Sequence, residues 1–372
     1  MRKLFFALFV LYAFSCAREV SENARTLEER LLQARIQTKY LDTLHKTESG
    51  LYYMILSKGS GKEVEEESFV YVRFSTLNFF NEDYSWGSGS ASNPYDDYYG
   101  YSSSGSSAPK LLSSDERVAK QLGDFSTTTY YGPHLWYAGV NALMEGIDEI
   151  VLSMREGDRR RIWLPSWLSS YGFTGSQPQY SVTTIHDIEI LRVIPDIIQF
   201  QIDSLEAYRD RHYPGLDSLS WGFYKKTLVE GVGDTLKEGN KVSIQYVGRF
   251  LDDFVFDTNI ADSAKRYYMY DPSSRDYDPF LAECKEKEGM LTVEIIDSEG
   301  GFKEGFTKAI LSMKNNEEAV TFFHSNFGYG AEEGSSLQEL IGKRQPFSPL
   351  VFYIKVERTD SDDDDEEDAE VE

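Results

Sequence analysis

Histidine and cysteine, the side chains that most often serve as bases, nucleophiles and metal ligands, are sparse in this 372-residue sequence. The histidines are His45, His134, His186, His212 and His324, and no two lie at a spacing that builds a zinc site or sets a base beside a nucleophile. Metal-dependent and hydrolytic chemistries are therefore weak readings, and no metal or cofactor is expected. Aromatic surface is what the sequence has in excess. Phe, Tyr and Trp make up 14% of the residues, which suggests pocket or surface roles beyond an ordinary core.

The two cysteines, Cys16 and Cys284, cannot form a disulfide framework. Arg2 and Lys3 make a basic start, Leu4 to Phe14 an apolar run too short to span a bilayer stably, and Ala13-Phe14-Ser15 precede Cys16. Residues 1–15 thus read as a cleaved export signal. Its ending resembles a bacterial lipobox, in which the cysteine becomes the lipidated mature N-terminus. Ala13 departs from the branched residue usual there, and the alternative is a plain signal peptide with a chance cysteine. The expectation is an exported protein, lipid-anchored at Cys16 to a bacterial membrane and facing periplasm or surface. Cys284 reads as a free or buried thiol rather than a catalyst.

The formal charge is −24, which repels phosphates and argues against nucleic acid as a partner. Part of it sits in a tail, residues 359–372, with Asp360 and Asp362 to Asp365. Such a self-repelling run is expected to be disordered, and no EF-hand spacing organises it for calcium.

The elements that must position any site fall into two halves, as the length suggests. Residues 16–48 are the lipidated N-terminus and a helical lead-in; Leu27, Leu31, Ala34, Ile36, Tyr40 and Leu44 recur near helical spacing across 21–47. Gly50-Leu51-Tyr52 followed by Gly59-Ser60-Gly61 then returns as Gly222-Phe223-Tyr224 followed by Gly231-Val232-Gly233, an offset of 172 residues. This is domain duplication. Each copy has an alternating strand, Phe69 to Phe74 and Lys241 to Tyr246, a short helical piece, Leu143 to Met154 and Phe302 to Met313, and a closing strand, around Thr184 to Leu191 and Leu350 to Val356. A second helix, Ile197 to Arg211, lies in the linker 195–217. Copy one, 49–194, carries a Tyr/Ser/Gly-rich tract at 81–109 that reads as a mobile loop or a tyrosine-rich binding surface. Copy two, 218–358, is expected to be interrupted similarly at 262–289.

In copy two the order of features resembles FKBP-type peptidyl-prolyl cis-trans isomerases. The residues that carry it are Gly222-Phe223-Tyr224, Gly231-Val232-Gly233-Asp234, Val242 to Arg249, Val255-Phe256-Asp257-Thr258, Gly305-Phe306, Met313, Phe327-Gly328-Tyr329-Gly330 and Leu350-Val351-Phe352. The resemblance implies an α+β fold of two FKBP-like antiparallel half-barrels, each wrapped on a short helix, with helical lead-in segments. It implies that Tyr246, Phe256, Phe306 and Phe352 wall a bowl for proline, with Phe302 at a lining position. Asp257 would be the carboxylate near the reacting carbonyl and Tyr329 the hydroxyl donor to the peptide. Two departures are Phe306, where the family often has tryptophan, and Lys303, where an aliphatic residue usually gives its backbone N–H. Taken singly, Phe256, Phe306 and Phe352 also fit as plain core aromatics, and Asp257 as a turn residue.

Copy one resembles the family more weakly, through Gly50-Leu51-Tyr52, Gly146, Met154 to Asp158 and Tyr171-Gly172. Phe74 stands for Tyr246, Ile147 for Phe306 and His186 for Phe352, and no Phe-Asp pair follows Phe74. Copy one is expected to keep the fold with a degraded pocket, and His186 to be a strand residue with a local hydrogen bond rather than a base. The reading is an envelope prolyl isomerase and folding factor acting on proline-containing clients through copy two. The alternative is a non-catalytic FKBP-like lipoprotein that binds a protein or envelope partner.

Overall fold

The computed structural model describes residues 24–40, 44–78, 113–122, 125–139, 144–169, 183–296, 301–330 and 347–359. The leader with Cys16, the 81–109 tract, Tyr171-Gly172 and the acidic tail from Asp360 lie outside the described residues. The first repeat contains α1 (Ala24–Lys39), β1 (His45–Lys46), β2 (Tyr52–Ser57), β3 (Phe69–Asn78), α2 (Glu116–Leu122), β4 (His134–Tyr137), α3 (Glu145–Leu152), β5 (Arg159–Leu164) and β6 (Thr184–Ile194). The linker forms α4 (Ile197–His212). The second repeat contains β7 (Phe223–Val229), β8 (Val232–Thr235), β9 (Lys241–Arg249), β10 (Val255–Thr258), α5 (Ala261–Arg266), β11 (Phe280–Lys287) and β12 (Met290–Ile295). It closes with α6 (Glu304–Leu311), β13 (Lys314–Asn315), β14 (Glu318–Phe323) and β15 (Leu350–Arg358).

The architecture is the expected α+β one, built on antiparallel sheets that each enclose a short helix. One large sheet runs β1-β2-β5-β6-β3-β4 and the second β12-β11-β9-β15-β14-β7, with β10 paired to β9, while β8 and β13 form a small two-stranded sheet. Without the outermost strands β1 and β12 the orders coincide, β2-β5-β6-β3-β4 against β7-β14-β15-β9-β11. Strand alternation decides which face turns inward: on β9, Val242, Ile244, Tyr246 and Gly248 are buried and the residues between them half-buried. The enclosed helices bury matching pairs one turn apart. These are Gly146, Ile147, Ile150 and Val151 on α3, and Gly305, Phe306, Ala309 and Ile310 on α6. A Cβ on Gly305 would lie 2.7 Å from the Phe323 ring, so only glycine lets α6 sit this close to the sheet.

The lead-in helices cover the outer faces. Leu32 and Ile36 of α1 pack on Trp163 and Ile185, and Leu205 and Tyr208 of α4 pack on Tyr224, Val320 and Phe322. Each helix also reaches the turn after the fourth shared strand through one buried polar side chain. Glu28 accepts from the backbone N–H and hydroxyl of Ser166, whereas Gln201 accepts from the Ser325 N–H at 2.7 Å and donates to its hydroxyl at 3.0 Å. Desolvation raises the Glu28 carboxyl above its ordinary pKa, against those hydrogen bonds and one from Thr183.

Two expectations are corrected. The helix read across 21–47 ends at Lys39, and His45–Lys46 instead pairs with Tyr52 and Tyr53 as β1; the sheet edge offers these residues backbone partners that another helical turn would forgo. Residues 262–289 are no loose interruption either. They hold most of α5 and all of β11, which pairs with β9 on one side and β12 on the other. Cys284 lies on β11 and is fully buried. Among the described residues no helix is long and apolar enough to cross a membrane.

Candidate functional site

A break in regular pairing creates the centre of the site. Val255 pairs with Arg249 and Asp257 with Gly248, so two steps along β10 match one along β9 and Phe256 is the extra residue of a bulge. Regular alternation would send Phe256 and Asp257 to opposite faces. The bulge turns both toward Tyr246: Phe256 joins the same core cluster, and Asp257 bonds the Tyr246 hydroxyl.

Around Tyr246 the rings meet edge to face. Phe306 lies 5.6 Å from Tyr246 and 5.0 Å from Phe352, and Phe352 lies 5.8 Å from Phe256, centroid to centroid. Phe302 extends the wall, 4.9 Å from Phe306. Tyr246, Phe256, Phe306 and Phe352 are buried, while Phe302 and Tyr329 are half-buried. The interlocking depends on Gly248, opposite Phe352 on β15, where a Cβ would lie 2.7 Å from the Phe256 ring and 2.8 Å from the Phe352 ring.

One edge of this apolar cluster is polar. The Tyr246 hydroxyl donates to Asp257 Oδ2 at 2.7 Å, and Arg275 Nη1 donates to Asp257 Oδ1 at 2.6 Å. Burial first, and the neighbouring carboxylate second, push the Tyr246 phenol well above its ordinary pKa, so it stays a donor. Asn259 fixes the strand behind: its Oδ1 accepts from the Tyr246 N–H and its Nδ2 donates to the Ile244 carbonyl, both at 2.8 Å. Lys303 is the N-cap residue of α6, and its ammonium lies 5.6 Å over the Tyr329 ring. Among the described residues no group of three His, Cys, Asp or Glu side chains is placed to hold a metal.

Tyr246, Phe256, Asp257, Phe302, Phe306 and Phe352 are thus brought together, with Tyr329 packed against the same cluster. Sequence reasoning missed Arg275, hidden in what read as an insert, and Gly248. A glycine two residues beyond Tyr246, at an inward position of an alternating strand, was the signal available for Gly248.

In the first repeat the pairing registers superpose the same positions. His186 pairs with Thr76 as Phe352 pairs with Gly248, and Phe74 pairs with Ile188 as Tyr246 pairs with Ile354. Ser114 Oγ accepts from the Phe74 N–H at 2.8 Å, the part Asn259 plays for Tyr246. The cup itself is filled. Trp136, opposite Val70, stands where Ala282 stands opposite Val242, and its buried ring lies 5.1 Å from Phe74. Thr76 replaces Gly248 and bonds His186 Nδ1 at 3.2 Å, while Thr184 bonds the other ring nitrogen at 2.8 Å. Burial, only partly opposed by Asp187, lowers the His186 pKa to about 4. A neutral imidazole held between two hydroxyls is a strand residue in a local network.

No family model matches the chain. Over 105 residues it is 29% identical to a short-type peptidyl-prolyl cis-trans isomerase of Methanocaldococcus jannaschii. The match covers 28% of this chain and 57% of the archaeal protein, so the chain spans little more than half the length of that relative. Among solved structures, the three FKBP domains of wheat FKBP73 share 14% identity at a TM-score of 0.26, covering 84% of this chain and 95% of that one. A peptidyl-prolyl cis-trans isomerase of Pseudomonas syringae pv. tomato shares 22% at 0.28 (43% and 91% covered), and FkpA from Escherichia coli 14% at 0.30 (52% and 71%). Superpositions this loose do not bear on how the parts of this chain are arranged. The sequence likeness of the chain is to a peptidyl-prolyl cis-trans isomerase.

Proposed function

We propose that the chain is a peptidyl-prolyl cis-trans isomerase acting through its second repeat on proline-containing polypeptides. The observation that carries this reading is the convergence of Tyr246, Phe256, Phe306 and Phe352 beside an Asp257 carboxylate held by both Tyr246 and Arg275. Rotation about a prolyl bond crosses a barrier of roughly 18 to 20 kcal/mol because amide resonance is lost, and it needs no nucleophile or proton transfer. An apolar bowl that grips the ring, with fixed dipoles where the carbonyl swings, binds the twisted form more tightly than either planar form. In this reading Phe256, Phe306 and Phe352 grip the proline and Phe302 contacts the flanking residue. Asp257 is the fixed charge facing the rotating amide, and the Tyr329 hydroxyl donates to the bound backbone. Filling by Trp136 and Thr76 supports an inactive first repeat.

The test is a proline-tetrapeptide isomerisation assay on the full chain beside Phe256→Ala and Asp257→Ala. Acceleration by the wild type that both substitutions reduce is expected; a folded wild type no faster than buffer removes the enzyme reading.

The role we assign is assistance to protein folding in the cell envelope, with Cys16 as a lipid anchor, and it is supported by the composition of residues 1–16 alone. Incorporation of labelled fatty acid that disappears in Cys16→Ala is the expected result. Equal labelling of the two proteins counts against the anchor.

A further inference from the structure

Resting on the isomerase reading, we propose that the client-binding site continues out of the bowl along the seam between the two repeats. There it takes the extended polypeptide flanking the proline, with preference for aromatic and basic residues. Three grooves line up on this seam. The first, of about 630 Å³, lies between Tyr71, Leu135, Tyr208 and Phe250 and includes Tyr130 and Asp252. The second, of about 520 Å³, shares Tyr130 and Asp252 and is walled by Phe125, Phe254 and Tyr268. The third, of about 260 Å³, shares Tyr268 and runs past Thr128 to Thr258 and Arg275, where Arg275 holds Asp257. Each groove thus shares lining residues with the next, both repeats contribute to them, and the third ends at Arg275 on the polar edge of the aromatic cluster.

The path also joins the bowl through stacked rings. Tyr130 of the first repeat lies 5.2 Å from both Phe250 and Phe254, and Phe250 lies 5.1 Å from Phe256. The loops that carry the exposed rings are built in advance. The Tyr131 hydroxyl accepts from the Ser126 N–H at 2.8 Å; the Tyr277 hydroxyl accepts from the Asp271 N–H and donates to the Met269 carbonyl, each at 2.8 Å. Upon them Phe125 and Tyr268 stand 39% and 76% exposed. Loops whose backbone is fixed before binding lose less entropy when a ligand docks on the rings they carry.

Charge selects the occupant. Glu116, Asp252, Asp253 and Arg266 line the middle groove; Lys120 pairs with Glu116 and Arg249 with Asp253, and Asp252 is the acidic residue that the first and middle grooves share, in a chain of net charge −24. A strand bearing Lys or Arg beside an aromatic residue fits this lining; an acidic one is repelled.

Fluorescence anisotropy on the full chain tests this with labelled twelve-residue peptides that share a central proline. One carries Phe and Lys at flanking positions, another Phe and Glu, a third Ser and Glu. The Phe/Lys peptide is expected to bind at least ten-fold more tightly than the Ser/Glu peptide. Phe125→Ala with Tyr268→Asn should remove most of that ratio; asparagine tolerates the left-handed backbone at Tyr268 (φ 57°) while deleting the ring. Glu116→Lys, on an exposed helix turn, should by itself cut the preference for Phe/Lys over Phe/Glu several-fold. Equal binding of the three peptides by the wild type, or unchanged ratios in both variants, overturns the proposal. Anisotropy needs no turnover, so a chain without isomerase activity that keeps these ratios refutes the enzyme reading and leaves the groove standing.

Discussion

The Tyr246 hydroxyl lies 2.7 Å from Asp257 Oδ2, a contact made across a β-bulge between two neighbouring strands. It couples the aromatic cluster around Tyr246 to the Asp257 carboxylate. Removing that hydroxyl in Tyr246→Phe leaves the wall in place and deprives the carboxylate of one of its partners. Hydrogen bonds to charged groups are worth roughly 1.5 to 3 kcal/mol, and about 1.4 kcal/mol is ten-fold in rate. A fall of about ten-fold in kcat/KM on a proline tetrapeptide, with unchanged circular dichroism, is expected. An unaltered rate would show that Asp257 needs no orientation by Tyr246.

Gly248→Ala puts a methyl into the space the Phe256 and Phe352 rings share. Overpacking of this kind costs roughly 1 to 3 kcal/mol. Both the urea midpoint and the isomerisation rate should drop, since the rings can yield only by closing or tilting the bowl. A variant as stable and active as the wild type would mean that the rings move aside freely.

Glu28→Gln copies the second repeat's own solution, Gln201, into the first. Burial raises the Glu28 pKa, so the fraction of stability tied to its protonation is present below the ordinary value of 4.5 and lost as pH rises through the raised folded value. At pH 7 the variant should be the more stable protein, and its advantage should shrink toward pH 4.5. A gain on the order of 1 kcal/mol would raise the melting temperature of a domain this size by roughly 2 to 4 °C. A lower melting temperature at pH 7 would show that the ionised carboxylate is the better acceptor for Ser166 and Thr183.

His134 and His186 predict the opposite slope. Burial lowers both to about 4, from the ordinary imidazole value of 6.5. Each stays neutral when folded and gains a proton when unfolded, so stability is complete above pH 6.5 and is lost as pH falls toward 4. The loss approaches at most about 1.4 kcal/mol per pH unit for each histidine. Urea unfolding at pH 7 and pH 5 should reveal it, and His186→Gln should flatten the difference; identical slopes in variant and wild type would remove His186 from the account.

What the sequence by itself determined about this protein is local in origin. Alternation made β9 and β15 strands and chose Tyr246 and Phe352 as inward residues; the 172-residue offset related the repeats; residue types supplied four ring walls and one carboxylate. These follow from side-chain period and composition, which neighbours in the chain carry. Tertiary structure alone decided the rest. Pairing across an apparent insert brought Arg275 to Asp257, a two-for-one register at Phe256 turned Asp257 to the same side, and the pairing of β3 with β4 put Trp136 where the second repeat keeps Ala282. Register is set by whole faces seeking burial, and an insertion of unknown path hides it from the sequence. The seam that places Tyr130 beside Phe250 and Phe254 depends on how the two repeats pack together, which no local pattern encodes.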